Sequence, residues 1–152
     1  RNRDLLFVGM EFGVFASLDN GRSWFSLRNN LPTVAVHDLA VHPRDNDLLI
    51  GTHGLGIWVL DNISPLQEAE AALAAGDTNL FSVRPCIQHI MRNTRESYTR
   101  PVFAGSNPAY GLTVNIFFPS APKTKPVLTI ADDRGEETHR VELPIKEGRG
   151  RG

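Results

Sequence analysis

Short bursts of alternating apolar and polar or small residues fill the first sixty positions, and each burst ends in turn-forming residues. Leu5 to Met10 and Val14 to Leu18 flank "EFG", and Ser23 to Leu27 follows "DNG", where Asn and Gly both tolerate the positive φ that tight turns need. A side-chain period of two with such punctuation predicts three antiparallel strands. Val34 to Val41 then alternates, "HPRDND" turns the chain, and Leu48 to Thr52 and Ile57 to Leu60 predict three more.

The two groups are copies. "DLLFVGMEFGVFASLDN" (residues 4 to 20) recurs as "DLLIGTHGLGIWVLDN" (residues 47 to 62), at an offset of 42 to 43 residues. That period matches a four-stranded propeller blade. The first copy lacks an innermost strand and the second an outermost one. Two such wedges cannot bury both faces or close a ring, because each blade packs on its neighbours. Phe15 and Trp58 occupy equivalent places and are expected to pack between blades.

Past Asn62 the period changes. In "SPLQEAEAALAAG", Ser64 is suited to the N-cap, Pro65 to the first helical position and Gly76 to the stop, with Gln67 three residues after the cap. Leu66, Ala69 and Leu73 share one face of the predicted helix. Residues 77 to 109 show no sustained period and read as an extended connection. Leu112 to Phe118, Val127 to Ile130 and Thr138 to Leu143 predict three antiparallel strands, the opening of a β-sandwich of immunoglobulin type. The expected fold class is therefore mainly β: two incomplete propeller blades (1–63), a short helix and extended linker (64–109), the first strands of a sandwich (110–145) and a disordered tail (146–152).

Composition narrows the partners. Of 152 residues, 41% are hydrophobic and 22% charged, as in an ordinary globular chain. With 16 basic and 17 acidic side chains the formal charge is −1, which gives no electrostatic case for nucleic acid or an anionic membrane surface. No apolar run approaches the roughly 18 residues of a membrane span. Cys86 is the only cysteine, so an internal disulfide is excluded, and the lone thiol is expected to be inert. The start at Arg1 and the ending "EGRGRG" suggest a piece of a longer protein.

"SLDNGRSW" (residues 17 to 24) fits the Asp-box pattern of BNR repeats, and "NNLPTVAVHDLAVHPRDNDLLIGTHGLGIWVLDNISPLQ" resembles the last blades of bacterial propellers related to the sortilin N-terminal domain. "NLFSVRPC", "GSNPAYGLTVNIFFP" and "LTIADDRGEE" resemble the stretch that leads from those propellers into an Ig-like, flagellar hook-capping-like sandwich. The resemblance implies a secreted or periplasmic protein whose remaining blades belong to the same full-length chain. Such proteins are often labelled glycosyl hydrolases, because sialidases and xyloglucanases carry Asp boxes too.

In an Asp box the carboxylate of Asp19 is expected to accept turn N–H groups, with Gly21 taking positive φ and Trp24 covering the turn; Ser17 and Ser23 complete the set. The role is structural. Chain order then separates two rims. Glu11, Asn29, Asn30, Thr33 and His53 are expected on the rim where propellers place ligands, whereas Asp19, Arg44, Asp45 and Asp47 fall on the other.

Retaining glycosidases need two carboxyl groups about 5 to 5.5 Å apart and inverting ones a wider pair. Glu11 alone qualifies on the ligand rim. Asp38, with Val36 and Ala40 expected on its face, reads as a hydrogen-bonded strand carboxylate. The propeller part has no tyrosine for a sialidase-like nucleophile. His37 and His42 are five apart on a strand and face opposite ways, so no shared metal ligation is expected. "GLG" precedes a hairpin rather than a helix, which removes the dinucleotide reading, and no cofactor is expected. The leading reading is a non-catalytic module that binds protein, peptide or glycan. The alternative is a glycoside hydrolase whose carboxylates lie in other blades.

Overall fold

The computed structural model describes residues 2–86 and 111–144. Arg95, Arg100 and the tail expected over 146–152 lie outside the described residues. Among those described, the chain is mainly β, with ten strands in small antiparallel sheets, one helix and no closed barrel. It divides into two units, residues 1–117 and 118–152.

Unit 1 is built on two separate three-stranded sheets. In the first, β1 (Leu6–Met10), β2 (Gly13–Ser17) and β3 (Phe25–Leu27) stand in that order; in the second, β4 (Val36–Val41), β5 (Leu48–Thr52) and β6 (Ile57–Leu60) do. Cross-strand partners share a face. The pairs Phe7–Ala16, Gly9–Val14 and Val14–Leu27 define one face of the first sheet, and Leu48–Leu60, Ile50–Trp58 and Leu39–Ile50 one face of the second. These two faces meet. Val14, Leu48 and Ile50 are buried there, with Phe7, Leu27, Trp58 and Leu60 packed around them.

β1 and β4 approach closely where the sheets meet, at Gly9. A Cβ at Gly9 would lie 2.7 Å from Val36 Cγ1 and 3.2 Å from the Val36 carbonyl oxygen. Glycine is what this contact leaves room for.

A β-bulge between Val36 and Asp38 changes the expected facing of β4. Val36 is buried, but Asp38 and Ala40 are exposed, so Val36 and Asp38 do not share a face as the simple alternation suggests.

The helix α1 (Ser64–Ala75) has Pro65 in its first turn and ends at Gly76 in the left-handed conformation (φ 67°). Its N-cap is Ile63 rather than Ser64. Ile63 is buried in the core of unit 1, which fixes the entry one residue early, and the Ser64 hydroxyl instead accepts a 2.8 Å hydrogen bond from Asn46 Nδ2. Of the expected buried face, Leu66 packs on the core and Ala69 is half-buried, but Leu73 is exposed and Ala72 is the buried residue. Asn46, with φ 55°, also exchanges amide hydrogen bonds with Gln67 (3.1 and 3.2 Å), tying the helix to the β4–β5 turn.

The strand expected over 112–118 contributes only β8 (Ile116–Phe117), and it pairs with β7 (Asn79–Leu80) within unit 1 rather than with the strands that follow. Pro119 has no N–H to extend the ladder. The first compact unit accordingly ends at residue 117. In unit 2, β9 (Val127–Ala131) and β10 (Glu137–Glu142) form a hairpin. Its turn is closed by Asp132, whose Oδ1 accepts the N–H groups of Arg134 and Glu136 at 2.9 Å each, with Gly135 at φ 82°.

Candidate functional site

Two ends of the paired sheets carry the residues of interest. The connections after β2 and β4 lie at one end; those after β1, β3 and β5 lie at the other.

At the first end, residues 17–24 form a turn organised around two side chains. The Ser17 hydroxyl, fully buried, donates to Asp19 Oδ1 (2.8 Å) and accepts the Gly21 N–H (2.8 Å). Asp19 Oδ1 also accepts the Ser23 N–H (2.8 Å), and its Oδ2 accepts the Ser23 hydroxyl (2.5 Å). Gly21 takes φ 87°, and the Trp24 indole N–H donates to its carbonyl at 3.1 Å. Both carboxylate oxygens of Asp19 are thus hydrogen-bonded within the turn, to two serine hydroxyls and one backbone N–H.

These bonds hold the Asp19 carboxyl at about 2 instead of 3.8, chiefly through the Ser23 hydroxyl, then the Ser23 N–H and the Ser17 hydroxyl. A folded-state value below the unfolded one stabilises the fold above pH ~4 and loses that contribution as pH falls toward 2. The melting temperature of the wild type is therefore expected to drop across that window, and that of Asp19→Asn to be lower at neutral pH and flatter below pH 4. Equal acid slopes for the two proteins, measured by circular dichroism, would count against this account.

Arg44, Asp45 and Asp47 lie at the same end. The Arg44 guanidinium clamps Asp45 (2.8 to 3.1 Å), and that hydrogen bond is the first cause holding the Asp45 carboxyl below its ordinary range. Asp47 Oδ1 accepts the Asn62 N–H at 2.8 Å, and Arg84 donates to the Asp45 carbonyl. These groups close the turn and the helix entry.

At the opposite end, Glu11 is exposed in the β1–β2 turn, Thr33 is exposed in the connection from β3 to β4, and His53 is exposed in the β5–β6 turn. Asn29 and Asn30 border a cleft of about 90 Å³ whose apolar wall comprises Leu27, Leu31, Ile50, Trp58, Val59 and Leu60. Glu11, Thr33 and His53 are not among its lining residues. The His53 ring instead lies beside that of His37, with centroids 5.0 Å apart and a 39° tilt, while the His53 backbone N–H donates to the Ala35 carbonyl at 2.9 Å. The five expected rim residues therefore share one end of the sheets but fall into separate places.

The apolar wall of the cleft was not singled out by the sequence, since Ile50 and Trp58 meet Leu27 only through the packing of one sheet on the other. The bulge likewise brings His37 beside His53, and no local signal marks it. Asp38 Oδ1 accepts the Leu39 N–H at 2.9 Å, the role of a strand carboxylate. Among the described residues, no three His, Cys, Asp or Glu side chains are grouped to hold a metal ion.

In comparisons with known proteins, no family model, curated protein or solved structure matches this chain.

Proposed function

We propose that residues 1–63 are two wedges of an Asp-box propeller, working outside the cytoplasm, and that their function is to bind a protein, peptide or glycan at the end carrying Asn29 and Asn30. The observation that carries this reading is the cleft itself: an apolar hollow between the sheets with two neighbouring amides at its edge. Its volume of about 90 Å³ is well below the roughly 300 to 1,000 Å³ of small-molecule and cofactor sites. That size suits a single anchoring group, such as one apolar side chain of a peptide, whose backbone the amides can hydrogen-bond.

Chemistry at this end supports binding over turnover. Glu11 is the only acid in its turns, and hydrolysis of a glycosidic bond needs a pair. A screen of displayed peptides and a glycan array provide ligands, and isothermal titration then measures them. Asn30→Ala is expected to weaken binding about tenfold, in line with roughly 1 to 1.5 kcal/mol for a hydrogen bond. Arg44→Ala, at the opposite end, is the control and leaves the affinity unchanged. Release of reducing sugar by the protein, or binding abolished by Arg44→Ala and not by Asn30→Ala, would replace this reading.

A further inference from the structure

His37 and His53 come from different strands and stand side by side at one end of the second sheet. His37 is the extra residue of the bulge in β4, between Val36, which pairs with Thr52, and Asp38, which pairs with Gly51. Bulges re-aim side chains in this way. His53 directly follows β5, and its backbone N–H is bonded to the Ala35 carbonyl at 2.9 Å. The turn that carries it is closed on itself: the Thr52 N–H (3.1 Å) and hydroxyl (2.6 Å) both donate to the Gly56 carbonyl, with Gly54 and Gly56 at φ 80° and 74°. Backbone fixed by one ladder therefore holds the two imidazoles together, and both residues are exposed.

Their separation is that of two ligands on one ion. With metal–nitrogen bonds of about 2.0 to 2.1 Å, and about 1.1 Å more from nitrogen to ring centre, two imidazoles set about 109° apart around an ion have centres about 5.2 Å apart. The His37 and His53 rings have centroids 5.0 Å apart, and their 39° tilt departs from parallel stacking. Among the described residues no third His, Cys, Asp or Glu side chain completes a metal-binding group. Two nitrogens and open positions select the ion by chemistry: imidazole suits Zn²⁺, Ni²⁺ and Cu²⁺, whereas Mg²⁺ and Ca²⁺ want oxygen.

We propose that His37 and His53 chelate one late divalent transition-metal ion, of the Zn²⁺ class, with water in its remaining positions. The site lies at the rim end and draws on no sheet face. Neither histidine lines the cleft bordered by Asn29 and Asn30, so the ion site is separate from the ligand site proposed above.

Isothermal titration of the full chain with Zn²⁺ tests it, in a Cys86→Ser background because a thiolate would compete for the ion. The parent is expected to bind one Zn²⁺ that His37→Ala and His53→Ala each weaken about tenfold or more, since either loss removes the intramolecular second bond. The double variant is expected to bind no more weakly than the single ones, His42→Ala and Asn30→Ala to bind as the parent does, and Mg²⁺ to give no heat. Zn²⁺ is also expected to raise the melting temperature of the parent and of neither single variant, because an ion that binds only the folded chain stabilises it. Melts without metal check that the variants fold, and His37→Gln and His53→Gln replace any that does not. Rings that merely pack on each other would show no Zn²⁺ dependence. Absence of Zn²⁺ binding, affinity that survives in either single variant, or an equal loss in His42→Ala would each overturn the proposal and leave the cleft reading standing.

Discussion

Leu48→Ala is expected to lower the stability of unit 1 by about 3 kcal/mol, while Leu49→Ala costs under about 1 kcal/mol. The two leucines are neighbours with the same propensity for strand, so only their facing separates them. Leu48 is 1% exposed, pairs with Leu60 and sits in the buried cluster with Val14, Ile50 and Ile63. Removing its side chain forfeits the transfer energy of the lost carbons and leaves a cavity, which together cost 2 to 5 kcal/mol in well-packed cores, about. Leu49 pairs with Val59 on the outward face, and Val59 is half exposed. There truncation removes little packing within the chain. Against a total stability of about 5 to 15 kcal/mol, the Leu48 loss is large enough to read as a fall in urea midpoint. A one-residue slip of β5 would exchange the two leucines and reverse the order of the two midpoints. The measurement therefore tests the register on which the facing of Trp58 and Ile57 also depends.

The repeat was legible in the sequence because it is written in residues with few alternatives. Gly9 and Gly51, the Asp-Asn turns and the alternation of Leu48 to Thr52 each restrict the backbone locally, and β5 and β6 lie where the pattern puts them. The Asp19 turn was legible for the same reason, since its donors and acceptors all fall within residues 17–24. What the sequence did not show was decided at a distance. The bulge at His37 exists because Val36 is drawn inward to Gly9, far away in sequence, and it turns Asp38 to the outer side. Ser64 gives up the N-cap to a tertiary bond from Asn46, and the pairing of β8 with β7 joins segments far apart in the chain. Rim residues could be sorted by chain order, but the cleft could not be foreseen, because two sheets build its walls.

Gly9→Ala is expected to destabilise unit 1 by about 1 to 3 kcal/mol, opposite in sign to what strand propensity alone suggests. Alanine for glycine in a strand gains about 0.5 to 1 kcal/mol by restricting the unfolded chain. Here the added Cβ would lie 2.7 Å from Val36 Cγ1, closer than carbon atoms tolerate, and 3.1 and 3.2 Å from the Val36 Cβ and carbonyl oxygen. Val36 is 8% exposed, so its side chain cannot swing into solvent without opening the core. β1 and β4 must separate instead, and overpacking of that kind costs about 1 to 3 kcal/mol, enough to outweigh the entropic gain. Val36→Ala removes Cγ1 and with it the shortest contact. The double variant Gly9→Ala, Val36→Ala is accordingly expected to be more stable than the sum of the single effects by about 1 kcal/mol, a coupling that residues in direct contact show and distant ones do not. Strict additivity in denaturant unfolding would mean that β1 and β4 do not meet at this pair, and that the first sheet does not lie on the second through Gly9.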